Sequence, residues 1–163
     1  MDIRIREAQA SEIEALFPLL LLAEASESAL HWSLDHLSDT VYVMHQANKS
    51  VGAATMRWDT EPCEIVELAI APEHHGRGLG RQFLEWLIGE GRRRGRKEML
   101  VGTANSSIGN ISFYQKCGFR MDHVRKDYFW YHREQGYENG LPIRDMLVFR
   151  YDLRQADDSA PRE

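Results

Sequence analysis

Apolar and polar residues alternate at the start of the chain, Ile3 and Ile5 against Arg4 and Arg6, the period-two pattern of a half-buried strand. The period then lengthens. Ile13, Leu16, Phe17, Leu20 and Leu21 recur at helical spacing behind Ser11 and Glu14, a capping-box pair, so a helix is predicted with a kink at Pro18. A second helix is predicted over residues 30–37. Residues 41–46 and 51–58 read as two strands of a hairpin turning around Asn48 and Lys49. Residues 64–71 form the next strand, followed by a glycine-rich loop and an amphipathic helix with Leu79, Phe83, Trp86 and Leu87 on one face. A strand over 99–101 precedes a short helix from about Ser107 to Gly118, which stands where a left-handed residue closes a helix. Strands over 119–124 and 146–153, the latter with Leu147, Phe149, Tyr151 and Leu153 on one face, complete the set. The order β-α-α-β-β-β-α-β-α-β-β predicts an α/β fold, a mixed sheet with helices on both faces. It is expected as a single domain over residues 1–153 with a disordered tail over 154–163.

Composition narrows the class. With 163 residues, 43% hydrophobic and 28% charged, the chain has the make-up of a soluble globular domain. The apolar run over 15–23 is broken by Pro18 and too short to span a bilayer, and no export signal is seen, so a cytoplasmic protein without a membrane partner is expected. Two cysteines and seven histidines at unpaired spacings point to neither a disulfide framework nor a metal site. A net charge of −5 argues against nucleic acid as a partner. The basic run Arg92, Arg93, Arg94, Arg96 and Lys97 ends the amphipathic helix, where cations favour the dipole, and is read as a solvated face.

The glycine loop carries the chemistry. After the strand break at Pro72 come His75, Gly76, Arg77, Gly78, Leu79 and Gly80, with a helix opening behind them. Glycines without a Cβ let a ligand approach the backbone, and free amides of a first helical turn converge on an anion, so the segment reads as a phosphate cradle, the alternative being a glycine-rich turn without a ligand. It is neither of the common nucleotide motifs: Gly80 is followed by Arg81 and Gln82 rather than Lys-Ser/Thr, and Phe83 stands where the last glycine of Gly-x-Gly-x-x-Gly would be. The loop resembles the acyl-CoA pyrophosphate loop of the GNAT superfamily of N-acetyltransferases, Gln/Arg-x-x-Gly-x-Gly/Ala, with His75 in place of Gln/Arg and Gly78 and Gly80 matching. A second motif, Phe113-Tyr114-Gln115-Lys116-Cys117-Gly118-Phe119, is similar to the family's helix-ending signature. The element order matches over nearly the whole chain.

The resemblance implies a splayed, mostly antiparallel sheet, acetyl-CoA as co-substrate, and direct acetyl transfer to an amine in a ternary complex. A small-molecule amine is the preferred acceptor. Protein N-terminal or lysine acetylation, and a non-catalytic acyl-CoA sensor, are the alternatives. Three tasks follow. A lysine-like amine of pKa about 10.4 is neutral only about once in 2,500 molecules at pH 7, so a base is required. Glu64 and Glu67 on the strand before the loop are the candidates, on opposite faces by period two unless a bulge intervenes. The resemblance places the base at Glu64; water is the third option. For the carbonyl oxygen and the pantetheine arm, the resemblance implies unpaired amides of Leu68, Ala69 and Ile70. For the departing sulfur it implies Tyr114, a hydrogen-bond donor more than a full proton source. Ser107 and Asn110 stand where the family often has Asn and Ala, which leaves Asn105 as a substitute coenzyme contact. The cluster Tyr128-Phe129-Trp130-Tyr131-His132 and the segment 134–142, with His31 and Trp32, form either an aromatic and acidic acceptor pocket or a homodimer surface.

Overall fold

The computed structural model describes residues 2–129 and 136–155. Strand β1 (Ile3–Glu7) leads into two short 3-10 turns and a four-residue helix, α1 (Phe17–Leu20). The continuous helix expected here does not form. Pro18 lacks an N–H and its ring crowds the carbonyl four residues back, so it sits at the start of α1 and the preceding turns tighten to 3-10. The capping box is also two residues earlier than expected: Gln9 N donates to Glu12 Oε2 at 2.7 Å, and Arg6 holds the same carboxylate. Helix α2 (Glu27–His36) begins three residues ahead of the predicted start because Ser26 Oγ accepts from Ala29 N.

Strands β2 (Thr40–Gln46) and β3 (Lys49–Arg57) form the expected hairpin, followed by β4 (Cys63–Ile70). The glycine loop then opens helix α3 (Leu79–Arg93), which crosses to β5 (Glu98–Ala104); helix α4 (Ile108–Lys116) leads to β6 (Arg120–Arg125). A small hairpin, β7 (Tyr137–Glu138) and β8 (Leu141–Pro142), precedes β9 (Met146–Asp152). This hairpin was not expected, although Asn139 and Gly140 at its turn, both at positive φ, are the usual residues of such a turn.

The seven main strands lie in the order β1-β2-β3-β4-β5-β9-β6, antiparallel throughout except for the parallel pair β4 and β5. One face buries Met44, Met56, Phe83, Leu87, Phe119 and Phe149 beneath α3 and α4; the other buries Leu16, Leu20, Leu30, Val41 and Val43 beneath α1 and α2. The basic run at the end of α3 is held by protein groups. Arg92 donates to the Leu153 and Gln155 carbonyls, and Arg94 pairs with Glu90 and lies over the Trp58 ring. Gly118, at φ +95°, closes α4: its amide donates to Gln115 O and the next amide, Phe119 N, to Tyr114 O, each at 3.0 Å. The Gly-Phe pair of the sequence motif thus fixes the last turn of α4 and with it Tyr114. No helix among the described residues is long and apolar enough to cross a membrane.

Candidate active site

The centre of the molecule is a parting of two strands. β4 pairs with β5 only through Cys63, Glu64 and Ile65, although both strands continue beyond. Toward β3 the ladder persists: Glu67 N donates to Thr55 Oγ1 and Ala71 N to Val51 O. Amides alternate in direction along a strand. Those of Leu68 and Ile70 therefore face the gap beside β5, while that of Ala69 faces β3. A cavity of about 1160 Å³ fills the parting and runs between the α1–α2 connection, α4 and the β6–β9 connection.

A bulge decides which side chains reach it. Thr55 and Met56 of β3 oppose Glu67 and Ile65, so Val66 is an extra residue, and Arg57 opposes Glu64. Thr55 and Arg57 share a face of β3, and residues directly across a ladder share a face. Glu64 and Glu67 consequently lie on the same face of β4, and both line the cavity.

Their surroundings differ. Glu67 is 2% exposed; Ser33 Oγ of α2 donates to its Oε1 at 2.5 Å, while Oε2 is buried with no hydrogen-bond partner among the described residues. Burial first, then a hydrogen bond with the neighbouring Glu24 carboxyl and its charge, push its pKa up to about 8, against the opposing effect of the Ser33 hydroxyl. Glu64 instead accepts from Arg125 Nη1 at 2.9 Å. Arg125 also touches Met146, which lies over the bare Cα of Gly102 in β5. Tyr114 stands on α4 at the cavity wall, 6% exposed, packed on Phe119 and Phe149. No hydrogen bond to its hydroxyl is formed among the described residues, and burial raises its pKa above the ordinary phenol value.

The glycine loop has the shape expected of a cradle. Gly76 and Gly78 take φ +77° and +76°, and the space where a Cβ would stand is open at both. Gly78 caps α3 and Gln82 N is the first amide to return to it, leaving the amides of Leu79, Gly80 and Arg81 free of helical partners. Gly80 packs toward Phe113 of α4, where a Cβ would meet the ring at an ordinary 3.5 Å. His75 donates from Nε2 to Ile70 O at 2.7 Å, tying the loop to the end of β4, and Arg77 lies beside His74.

Asn105 is engaged within the protein: its side-chain amide donates to Pro142 O and accepts from Arg144 N and Asp145 N, so both ends hold the connection into β9. Ser106 and Ser107 at the start of α4 both donate to Glu138 of the β7–β8 hairpin. Of the aromatic candidates, Trp32, Tyr128 and Phe129 line the cavity, whereas His31 packs edge-on against Phe17. Trp130, Tyr131, His132 and residues 134–135 lie outside the described residues. Sequence reasoning missed Glu24, Ser33 and Arg125. Ser33 alone left a signal, a hydroxyl at helical spacing between Leu30 and Leu37 on a buried face. Cys63 is buried, its thiol pushed up to about 12 by desolvation, and neither it nor Cys117 lines the cavity. No metal-binding group of three or more His, Cys, Asp or Glu occurs among the described residues.

A parallel strand pair parts beside a glycine-opened helix, with a carboxyl and a phenol at the parting, the arrangement that the resemblance to N-acetyltransferases implies. Comparison with known proteins gives the family. Residues 38–121 match the acetyltransferase (GNAT) domain, and the chain is 31% identical to the uncharacterized N-acetyltransferase YvbK of Bacillus subtilis over 142 residues, 86% of this chain and 90% of that one. The chain belongs to the GNAT family of N-acetyltransferases. Its fold superposes on a GNAT family acetyltransferase from Elizabethkingia anophelis with acetyl-CoA bound, at TM-score 0.84, 31% identity and coverage of 92% and 97% of the two chains. A Bacillus subtilis acetyltransferase in complex with CoA superposes at TM-score 0.80, again with 31% identity, over 93% and 99% of the chains.

Proposed function

We propose that the protein transfers an acetyl group from acetyl-CoA to a primary amine, preferably on a small molecule, by direct attack within a ternary complex. The observation that carries this reading is the parting of β4 from β5 with Glu67 and Tyr114 at its edge. Acetyl-CoA fits the residues present. Gly76, Gly78 and the first amides of α3 offer an open anion cradle for the pyrophosphate, and Leu68 and Ile70 present amides for the pantetheine arm and the carbonyl oxygen. The co-substrate supplies the thioester.

Glu67 takes the role of base. A carboxyl with a pKa near 8 matches the task of receiving an amine proton at neutral pH, and its Oε2 is free to receive it. Glu64, held by Arg125, orders the wall beside it. Tyr114 presents its hydroxyl to the departing sulfur. Because its pKa is raised, donation of a hydrogen bond is favoured over complete proton transfer. Direct attack is supported by the thiols: Cys63 is buried, its pKa pushed up, and Cys117 lies away from the cavity. The cavity is a concave cleft of about 1160 Å³, a shape that supports a small acceptor.

The test is thiol release from acetyl-CoA over a panel of primary amines, with calorimetry of acetyl-CoA binding alongside. Amine-dependent release supports the reading; tight binding with no amine-dependent release replaces it with a sensor module.

A further inference from the structure

The acceptor end of the cavity gathers two carboxyl groups that no protein cation holds among the described residues. Glu67 is almost wholly buried with Oε2 unpartnered, and the carboxylate of Glu24, from the connection ahead of α2, stands beside it on the same cavity. Of the cations lining the cavity, Arg57 pairs with Asp59 at 3.5 Å and Arg125 with Glu64, while Lys126 is exposed at its rim. Neither Glu24 nor Glu67 forms an ion pair among the described residues. A buried carboxylate left without a cation is costly, and the cost is relieved when a ligand brings the charge. Around the pair the walls are apolar and aromatic. Ala25 and Ala29 leave room, while Trp32 and Tyr128, 54% and 37% exposed, flank the opening.

We infer that Glu24 and Glu67 together seat the ammonium of the acceptor, with Trp32 and Tyr128 against its carbon frame, so that the acceptor is an aliphatic monoamine with a compact apolar or aromatic body that arrives charged. The inference rests on the acetyl-transfer reading and names the substrate class of that same site. Glu24 is then a recognition residue. The ammonium gives one proton to Glu67. The neutral nitrogen attacks the thioester carbonyl, forming the C–N bond as the C–S bond breaks, and the second nitrogen proton leaves with the sulfur as thiol. Glu67 returns its proton to solvent. An arylamine, uncharged at neutral pH, gains nothing from the pair.

The titratable and charged groups sharing the cavity with Glu67 are Glu24, Glu64 of its own strand, Arg57 of β3, Arg125 of β6, Lys126, Asp127 and Tyr128 beyond it, and Glu138 of β7. Burial raises Glu67 most, and after it the Glu24 carboxyl, by its hydrogen bond and its charge. Removing that carboxyl therefore lowers the Glu67 pKa and moves the ascending limb of kcat/KM to lower pH.

The experiment compares wild type, Glu24→Gln and Glu24→Asp with saturating acetyl-CoA. Phenethylamine, isopentylamine and aniline serve as acceptors over about pH 6 to 9. Amine binding is measured separately by thermal shift in the presence of CoA. Expected is a KM for phenethylamine raised about tenfold or more in Glu24→Gln, with kcat within about threefold, partial rescue by Glu24→Asp, and the shifted pH limb. The thermal shift by phenethylamine should fall in parallel, and aniline should be indifferent to the substitution. Unchanged KM, binding and pH limb in Glu24→Gln overturn the inference even if turnover is brisk. Should wild type turn over none of the amines, the acetyl-transfer reading fails, and amine binding still decides the ammonium seat. No thermal shift by either aliphatic amine in wild type overturns it.

Discussion

Glu64 and Glu67 lie on one face of β4 because Val66 is the extra residue of a bulge opposite Thr55 and Met56. The two carboxyls share a cavity but not a chemical state, one ion-paired to Arg125 and the other buried beside Glu24. Glu67→Gln is expected to lower kcat/KM at pH 7 by roughly 10²- to 10⁴-fold, the usual effect of a placed base, and to recover as the pH approaches the amine pKa. Glu64→Gln should cost less than about tenfold, since it disturbs a wall and not the proton acceptor. Steady-state kinetics of the two variants across pH checks the ranking; the reverse order would return the base to Glu64.

Stability carries the same signature. The Glu67 carboxyl has a pKa of about 8 in the fold against an ordinary 4.5, so folding favours its protonated form. That contribution is complete below about pH 4.5 and is lost as the pH rises toward about 8. Each pKa unit is worth about 1.4 kcal/mol, so wild type should lose a few kcal/mol relative to Glu67→Gln between those limits. Denaturant titrations at pH 5 and about pH 9 read this directly. Parallel stability curves for the two proteins would show that the carboxyl is not desolvated.

Tyr114→Phe removes a hydroxyl that bonds no protein group among the described residues and leaves the ring packed on Phe119 and Phe149. Melting temperature and acetyl-CoA affinity should hold, while kcat falls by about 10², the lower part of the range for a placed acid, because the raised phenol pKa makes complete proton transfer uphill. Unchanged turnover with chemistry rate-limiting would make Tyr114 a packing residue.

Gly78 caps α3 at φ +76° with open space at its Cβ position. Acetyl-CoA at a hundredfold excess over Kd should stabilise wild type by about 2.7 kcal/mol. Gly78→Val fills the cradle and strains the turn by about 1–3 kcal/mol, so the variant should be weaker in itself and gain almost nothing from the ligand. Calorimetry on the folded variant decides; wild-type affinity would remove the pyrophosphate from this loop.

What the sequence revealed was whatever local chemistry controls. Periodicity located the strands and α3, and the helix-ending role of Gly118 followed from glycine's access to positive φ. The first helix failed because Pro18 acts on the turns before it, and apolar spacing alone does not register that. Within the candidate site, Glu64, Glu67 and Tyr114 were legible as residue types on particular elements. Which carboxyl meets Ser33 and which meets Arg125 depends on a bulge and on chain segments 34 and 61 residues away, and no local pattern encodes that. Asn105 illustrates the same limit: its neighbours in sequence suggested a coenzyme contact, while its partners come from Pro142, Arg144 and Asp145.

The most direct test of acetyl transfer through this site is thiol release from acetyl-CoA, measured with and without a primary amine, for wild type and Glu67→Gln side by side at pH 7. Release in wild type should depend on the amine and saturate with it, and should drop by roughly 10²-fold or more in the variant while acetyl-CoA still binds. Equal rates with and without amine, or equal rates for the two proteins, would contradict it.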